Sequence, residues 1–218
     1  MIKTDNQLQH DVMAELEWDP RVDHADIGIA VNDGVVTLSG YVKSYPEKMA
    51  AERAARRVAG VKAIAEEIKV RFASDPKTAD HEIAKRILDL FAWHVSIPKD
   101  RVKLTVEHGW VTLTGDVDWF YQKEEAAKSA GRITGVLGIS NLIEVKKLPV
   151  AADVKERIMA AFRRQANLDA SGVTVVTEGS TVRLGGIVKA WNERGVAERA
   201  AWAAPGVNKV EDDIIVAF

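Results

Sequence analysis

The chain has 218 residues, 47% of them hydrophobic and 28% charged, which is the balance of an ordinary soluble globular protein and excludes a disordered or fibrous one. Lys and Arg number 30 against 32 Asp and Glu, giving a net charge of −2, so composition offers no basic excess to neutralise nucleic-acid phosphates. With no cysteine, disulfides, thiolate metal sites and a cysteine nucleophile all drop out.

The first predicted element is a helix. Thr4 and Gln7 form a capping box, and Leu8, Val12 and Leu16 recur at i, i+4 and i+8, which sets one stripe toward a core. Asp19-Pro20 stops it. Ile27, Ile29 and Val31 then alternate as a half-buried strand, Asp33-Gly34 supplies a turn, and Val36-Thr37-Leu38 returns toward Gly40. A second helix opens at a box of Ser44 with Glu47 and buries the small residues Ala51 and Ala55 with Val58. Gly60 reads as its C′ glycine, and a last strand carries Ile64, Ile68 and Val70.

The same order then returns twice. Copy two begins at Asp75-Pro76, an N-cap with proline in the first turn, and its stripe is Ile83, Ile87 and Phe91 with Pro98 as the stop. Val102, Leu104 and Val106 alternate, His108-Gly109 turns, Val111-Thr112-Leu113 returns to Gly115, Gln122 fills the box position, and Ala126, Ala130 and Ile133 face inward before Gly135-Val136. Copy three repeats this with Val154, Ile158 and Phe162, then Val173 and Val175, a turn at Glu178-Gly179, Val182-Arg183-Leu184, Gly186, Glu193, the row Ala197, Ala201 and Ala204, and Gly206-Val207. Ile143 with Val145, and Ile214 with Val216, close the second and third copies as Ile68 and Val70 close the first. The period, from Gly40 to Gly115 and from there to Gly186, is too long for a solenoid unit and close to a minimal domain. The fold class is therefore α+β: three tandem α-β-β-α-β modules at residues 1–73, 74–147 and 148–218. Each is expected to set two helices on one face of a mixed three-stranded sheet, with a right-handed βαβ crossover.

The string Asp33-Gly34-Val35-Val36-Thr37-Leu38-Ser39-Gly40, the Gly-Val twenty residues on and the element order resemble the BON domain family, named for bacterial osmotically inducible and nodulation proteins. The resemblance covers the whole chain three times; copy three departs at Ser180 and at Ala204-Pro205. It implies a non-catalytic binding module tied to osmotic or envelope stress and to phospholipid surfaces. It leaves as alternatives a cytoplasmic small-ligand or potassium-binding stress protein and a protein-interaction scaffold. Members with paired modules are often exported. The start here, Met1-Ile2-Lys3-Thr4, has no apolar h-region, and no run of apolar residues is long enough to span a membrane. A cytoplasmic location is expected if Met1 is the natural start, and a periplasmic one if a signal peptide has been removed.

No nucleophile–base pair, metal set or phosphate-cradling loop assembles from the sequence, so neither catalysis nor a cofactor or metal is expected. His10, His24, His81, His94 and His108 share no common repeat position, and the acid pairs Glu66-Glu67, Glu124-Glu125 and Asp212-Asp213 read as solubility and edge protection. The basic runs Arg53, Arg56, Arg57 and Arg163-Arg164 read as solvated helix faces. The aromatics say more. Tyr45, Phe120 and Trp191 occupy one position in all copies and read as core or staple residues. Trp93, Trp110, Trp119 and Tyr121 fall to copy two alone; with Lys123 they form the candidate contact for a lipid surface or a protein partner, against the plainer reading of packing between modules.

Overall fold

The computed structural model describes residues 3–72, 79–146, 153–165 and 170–217. Copy one comprises α1 (Asp5–Trp18), β1 (Ile27–Asn32), β2 (Val35–Val42), α2 (Tyr45–Arg57) and β3 (Ala63–Val70). Copy two comprises α3 (Asp80–Trp93), β4 (Val102–Glu107), β5 (Trp110–Val117), α4 (Phe120–Ala130), β6 (Gly138–Asn141) and β7 (Glu144–Val145). Copy three comprises α5 (Val154–Arg164), β8 (Val173–Glu178), β9 (Thr181–Val188), α6 (Trp191–Trp202), β10 (Lys209–Asp212) and β11 (Ile215–Val216). The Asp75-Pro76 cap lies outside the described residues.

In each copy the hairpin pairs antiparallel and the last strand pairs parallel to its middle, so the middle strand is central. Both helices lie on one face, because they touch each other as well as the sheet and share one apolar cluster per copy. The helical stripes are buried as expected: Val12, Leu16, Ile87 and Phe162 are fully enclosed. The last strand is continuous in copy one but broken in copies two and three, with the register unchanged across the gap. At the break Asn141 and Asp212 bend their side-chain oxygens onto the N–H two residues on, the local bond through which short polar side chains compete with a ladder. Glu66 makes the same bond to Ile68 with one more methylene, and there the strand runs through.

The recurring glycine of the motif has a steric origin. Gly40, Gly115 and Gly186 sit at φ of +110°, +114° and +104°, and an added Cβ would fall 2.0, 2.0 and 2.1 Å from the carbonyl oxygens of Asp26, Arg101 and Gly172. Only glycine allows the middle strand to pass so close to the start of the first.

Four local expectations change. The third hairpin loop is Gly179-Ser180, since Glu178 pairs with Thr181; glycine at the first loop position suits a type II′ turn, whereas Asp33-Gly34 and His108-Gly109 both take positive φ as a type I′ turn requires. The second helices stop at Arg57, Ala130 and Trp202, short of Gly60, Gly135 and Gly206, which instead turn the chain into the last strand. α3 ends at Trp93 with its cap at His94, ahead of Pro98, so that proline does not stop it. The basic run in copy one is tied down: Arg56 lies over the Trp191 ring and Arg57 bonds Glu15 and Asp19.

The aromatics at the start of the second helices do not serve their own modules. Tyr45 packs on the copy-two core, with its ring against Gly131 at the end of α4. Phe120 stacks on Trp202 at the end of α6, centroids 4.3 Å apart and planes 9° apart. Trp191 packs on the copy-one core, and Arg56, at the end of α2, lies 5.5 Å from its ring centroid. Residues 56, 131 and 202 are one repeat position. The three second helices therefore form a closed head-to-tail triangle, one to two, two to three, three to one. Three equivalent heterologous contacts that close on themselves define a pseudo-threefold axis. Residues at one repeat position then lie at one height along that axis.

Candidate functional site

The five candidate residues of copy two do not form one cluster. Trp119 caps α4 and Tyr121 follows in its first turn; both border a cleft against α6. Trp110 lies on the sheet face away from the helices, its ring flat over Gly138, where an added Cβ would meet it at 2.3 Å, and its indole N–H donates to Ser140 at 2.8 Å. Lys123 is half-buried on α4 facing the last strand. Trp93 stands at the end of α3, 88% exposed.

Lys123 has a structural explanation. Lys48 and Arg194 hold its repeat position in the other copies, and each forms a salt bridge to the last strand, with Glu66 at 2.7 Å and Asp212 at 2.6 Å. In copy two the acid is replaced by Asn141, whose amide donates instead to the Lys123 carbonyl at 2.8 Å. Among the described residues the Lys123 ammonium forms no ion pair, and burial pushes it below the usual lysine range against the pull of Glu144.

Trp93 is not peculiar to copy two. Its repeat equivalents are Trp18, 84% exposed at the end of α1, and Arg164, exposed at the end of α5. The register that carries Gly40 onto Gly115 also carries Trp18 onto Trp93, so this pairing was present in the sequence and unused. Trp18, Trp93 and Arg164 thus hold one repeat position at the ends of the three first helices, with Arg163 beside the third. Val95 is fully exposed just beyond α3.

The histidine-centred polar clusters form structural contacts. His94 Nε2 lies 3.4 Å from Glu125, and the Ser129 hydroxyl donates to the same carboxylate at 3.4 Å. Nucleophile activation needs the imidazole between hydroxyl and acid; here the acid sits between, and Ser129 is only 3% exposed. His108 takes φ +50° in the hairpin turn, and its N–H donates to Asp80 at 2.7 Å, a structural duty. Asp80 in turn is held below the usual carboxylate range by the Gly109 and His108 N–H groups. Among the described residues no group of three or more His, Asp or Glu is placed to hold a metal ion, and no helix is long and apolar enough to cross a membrane.

The cleft between α4 and α6 has a volume of about 450 Å³ and is lined by Trp119, Phe120, Tyr121, Glu124, Arg199, Trp202 and Ala203. Sequence reasoning found Trp119 and Tyr121 but missed Glu124 and Trp202, because the ring that unites the ends of two different modules is not a local property of either.

Comparison with known proteins bears on all three copies. The family model of the BON domain matches residues 4–71, 79–147 and 151–217. Osmotically-inducible protein Y of Escherichia coli (strain K12) is 28% identical over 151 residues, 65% of this chain and 73% of that protein. Two solved structures of CdsD, a structural protein of the type III secretion system of Chlamydia trachomatis, align with 95% and 99% of this chain and 91% and 100% of theirs, at 14% and 15% identity and a TM-score of 0.26 each. At that score the alignment carries no argument.

Proposed function

Because this chain belongs to the BON domain family, three copies over, we propose that it is a non-catalytic, osmotic-stress-associated protein that binds anionic phospholipid surfaces with one side of its ring. The stress association rests on its similarity to osmotically-inducible protein Y. The lipid reading rests on one observation: Trp18 and Trp93, 84% and 88% exposed, stand at equivalent ends of α1 and α3, with the exposed Arg163 and Arg164 at the end of α5. Indole rings favour the boundary between headgroups and acyl chains, and arginine adds attraction to anionic headgroups. Three weak contacts on one rigid body engage one plane together, so each raises the effective concentration of the next. Burying only about 60 Å² of one indole is worth roughly 1.5 kcal/mol, about tenfold in affinity.

Vesicle flotation tests the reading. The full chain is expected to float with anionic vesicles at low salt, to float less at high salt, and to lose about tenfold in partition coefficient for each of Trp18→Ala and Trp93→Ala. No flotation with any vesicle, or flotation indifferent to both substitutions, would remove the lipid surface and leave a soluble ligand or a protein partner.

A further inference from the structure

The three seams of the ring are internal controls for one another. The seam from α2 to α4 is built with Ser44, Tyr45, Pro46 and Met49 against Lys128 and Gly131. The seam from α6 to α2 is built with Ala190, Trp191, Asn192 and Gly195 against Arg53 and Arg56. Both close the ring. Every seam has an aromatic at the second of these positions and a cation at the position of Arg199, so those residues belong to the architecture. The seam from α4 to α6 alone adds Trp119, Tyr121 and Trp202 around the stacked Phe120, and alone adds a carboxylate, Glu124. Ring closure needs none of these additions.

We infer that this cleft binds a small soluble organic cation carrying a methylated ammonium group. Several aromatic rings beside a carboxylate recognise such an ion, because each ring offers its negative face and the weakly hydrated methyl groups lose little on leaving water. The cleft's volume of about 450 Å³ lies in the range of small-molecule sites. Among the described residues Glu124 forms neither a hydrogen bond nor an ion pair. Its carboxyl is held above the usual range chiefly by desolvation in the cleft, with Glu198 and Glu125 adding to the rise and Arg199 and Lys128 opposing it. Glu124 is solvent-exposed, so its carboxylate is open to a bound cation, which meets it in competition with the Arg199 guanidinium of the same cleft. The floor is formed in advance by the Phe120–Trp202 stack, while Tyr121, 55% exposed, and Trp119, 37% exposed, leave the mouth open. The inference is independent of the lipid reading, which uses the ends of the first helices.

Isothermal titration of the full chain with tetramethylammonium chloride tests it, with potassium chloride and tert-butanol as the charge and shape controls. The expected result is saturable binding at one site for tetramethylammonium alone. Glu124→Gln and Trp119→Ser, the latter giving the residue that copy one carries, are each expected to weaken it about tenfold at an unchanged melting temperature. Equal binding of tert-butanol, no saturation, or affinity unchanged in both variants would overturn the site. Displacement of tetramethylammonium by phosphatidylcholine vesicles would overturn the soluble ligand in favour of a lipid headgroup.

Discussion

Copies one and two keep one register from end to end, yet they settle the same positions differently. At the end of the first helix copy one buries Asp19, 4% exposed, and meets it with Arg21 at 2.6 Å and Arg57 at 3.4 Å. Copy two puts His94 there, with Nδ1 buried and unpartnered among the described residues. On the second helix copy one ties Lys48 to Glu66, while copy two leaves Lys123 opposite Asn141. Copy one also lacks the surplus aromatics. A fold repeated three times tolerates such a division: one copy satisfies its polar groups, and another leaves the same positions less completely paired.

The largest effect expected is at the seam position. Arg56 and Gly131 are repeat equivalents, but Arg56 lies over an aromatic ring, whereas Gly131 leaves room for one. Gly131 has φ −63°, which any residue adopts, so its requirement is steric: an added Cβ would stand 2.9 Å from the Tyr45 ring. Gly131→Arg is expected to expel Tyr45 and cost about 3 kcal/mol, the upper end of overpacking. Arg56→Ala removes the cation–π contact and the exposed ion pair with Glu52 without a helix-propensity penalty, and should cost about 1 kcal/mol. Urea unfolding of both variants checks the difference; equal losses would mean that Gly131 is not needed to make room for the Tyr45 ring.

Next in size is Asp19. The Arg21 guanidinium holds its carboxyl well below the usual carboxylate range, against the opposing push of burial. A folded-state value below the unfolded one means that the contribution is complete above the unfolded value of about 4 and is lost as pH falls toward the folded one. Asp19→Asn is therefore expected to cost about 2 kcal/mol at neutral pH, the worth of charge-assisted hydrogen bonds at a buried carboxylate. The gap should narrow progressively below about pH 4. A gap that stays constant down to strong acid would assign the loss to packing instead.

The repeat explains why so much of the fold could be read directly. Three spaced copies of Gly40, Gly115 and Gly186 with the apolar stripes between them determined element order, core and hairpins, because every one of those signals acts within a single module. Boundaries were less legible. Gly60 looks like a helix terminator but turns a loop, since the fold ends α2 at Arg57. The ring was hidden for a different reason. Tyr45, Phe120 and Trp191 have the character of staple residues in their own helices, and nothing local says that each partner lies eleven positions along the next module's helix. Glu124 reads as one of a common acid pair for the same reason: only the approach of α6 gives it aromatic walls. Trp18 differs, because its register with Trp93 is legible at the repeat spacing.

The smallest effect gives the sharpest contrast between the copies. Lys48 donates to Glu66 and to the Ile68 carbonyl, each at 2.7 Å, with both side chains little more than one-fifth exposed. Lys48→Met leaves the half-buried Glu66 carboxylate with only the Ile68 N–H and is expected to cost about 1 kcal/mol. Lys123→Met removes an ammonium that has no ion pair and keeps an apolar stem of similar length, so it should be neutral or stabilise by a few tenths of a kcal/mol. Asn141→Asp supplies the missing acid; its ion pair with Lys123 is set against the lost amide bond to the Lys123 carbonyl, for a net gain of about 0.5 kcal/mol. That gain belongs to a carboxylate beside a cation, so it should be present above about pH 4 and vanish on acidification. In the Asn141→Asp background Lys123→Met should turn unfavourable, as Lys48→Met is in copy one. A double-mutant cycle by urea unfolding measures the coupling. Coupling indistinguishable from zero would mean that the last strand of copy two, broken after Asn141, no longer brings position 141 to the helix as Glu66 is brought in copy one.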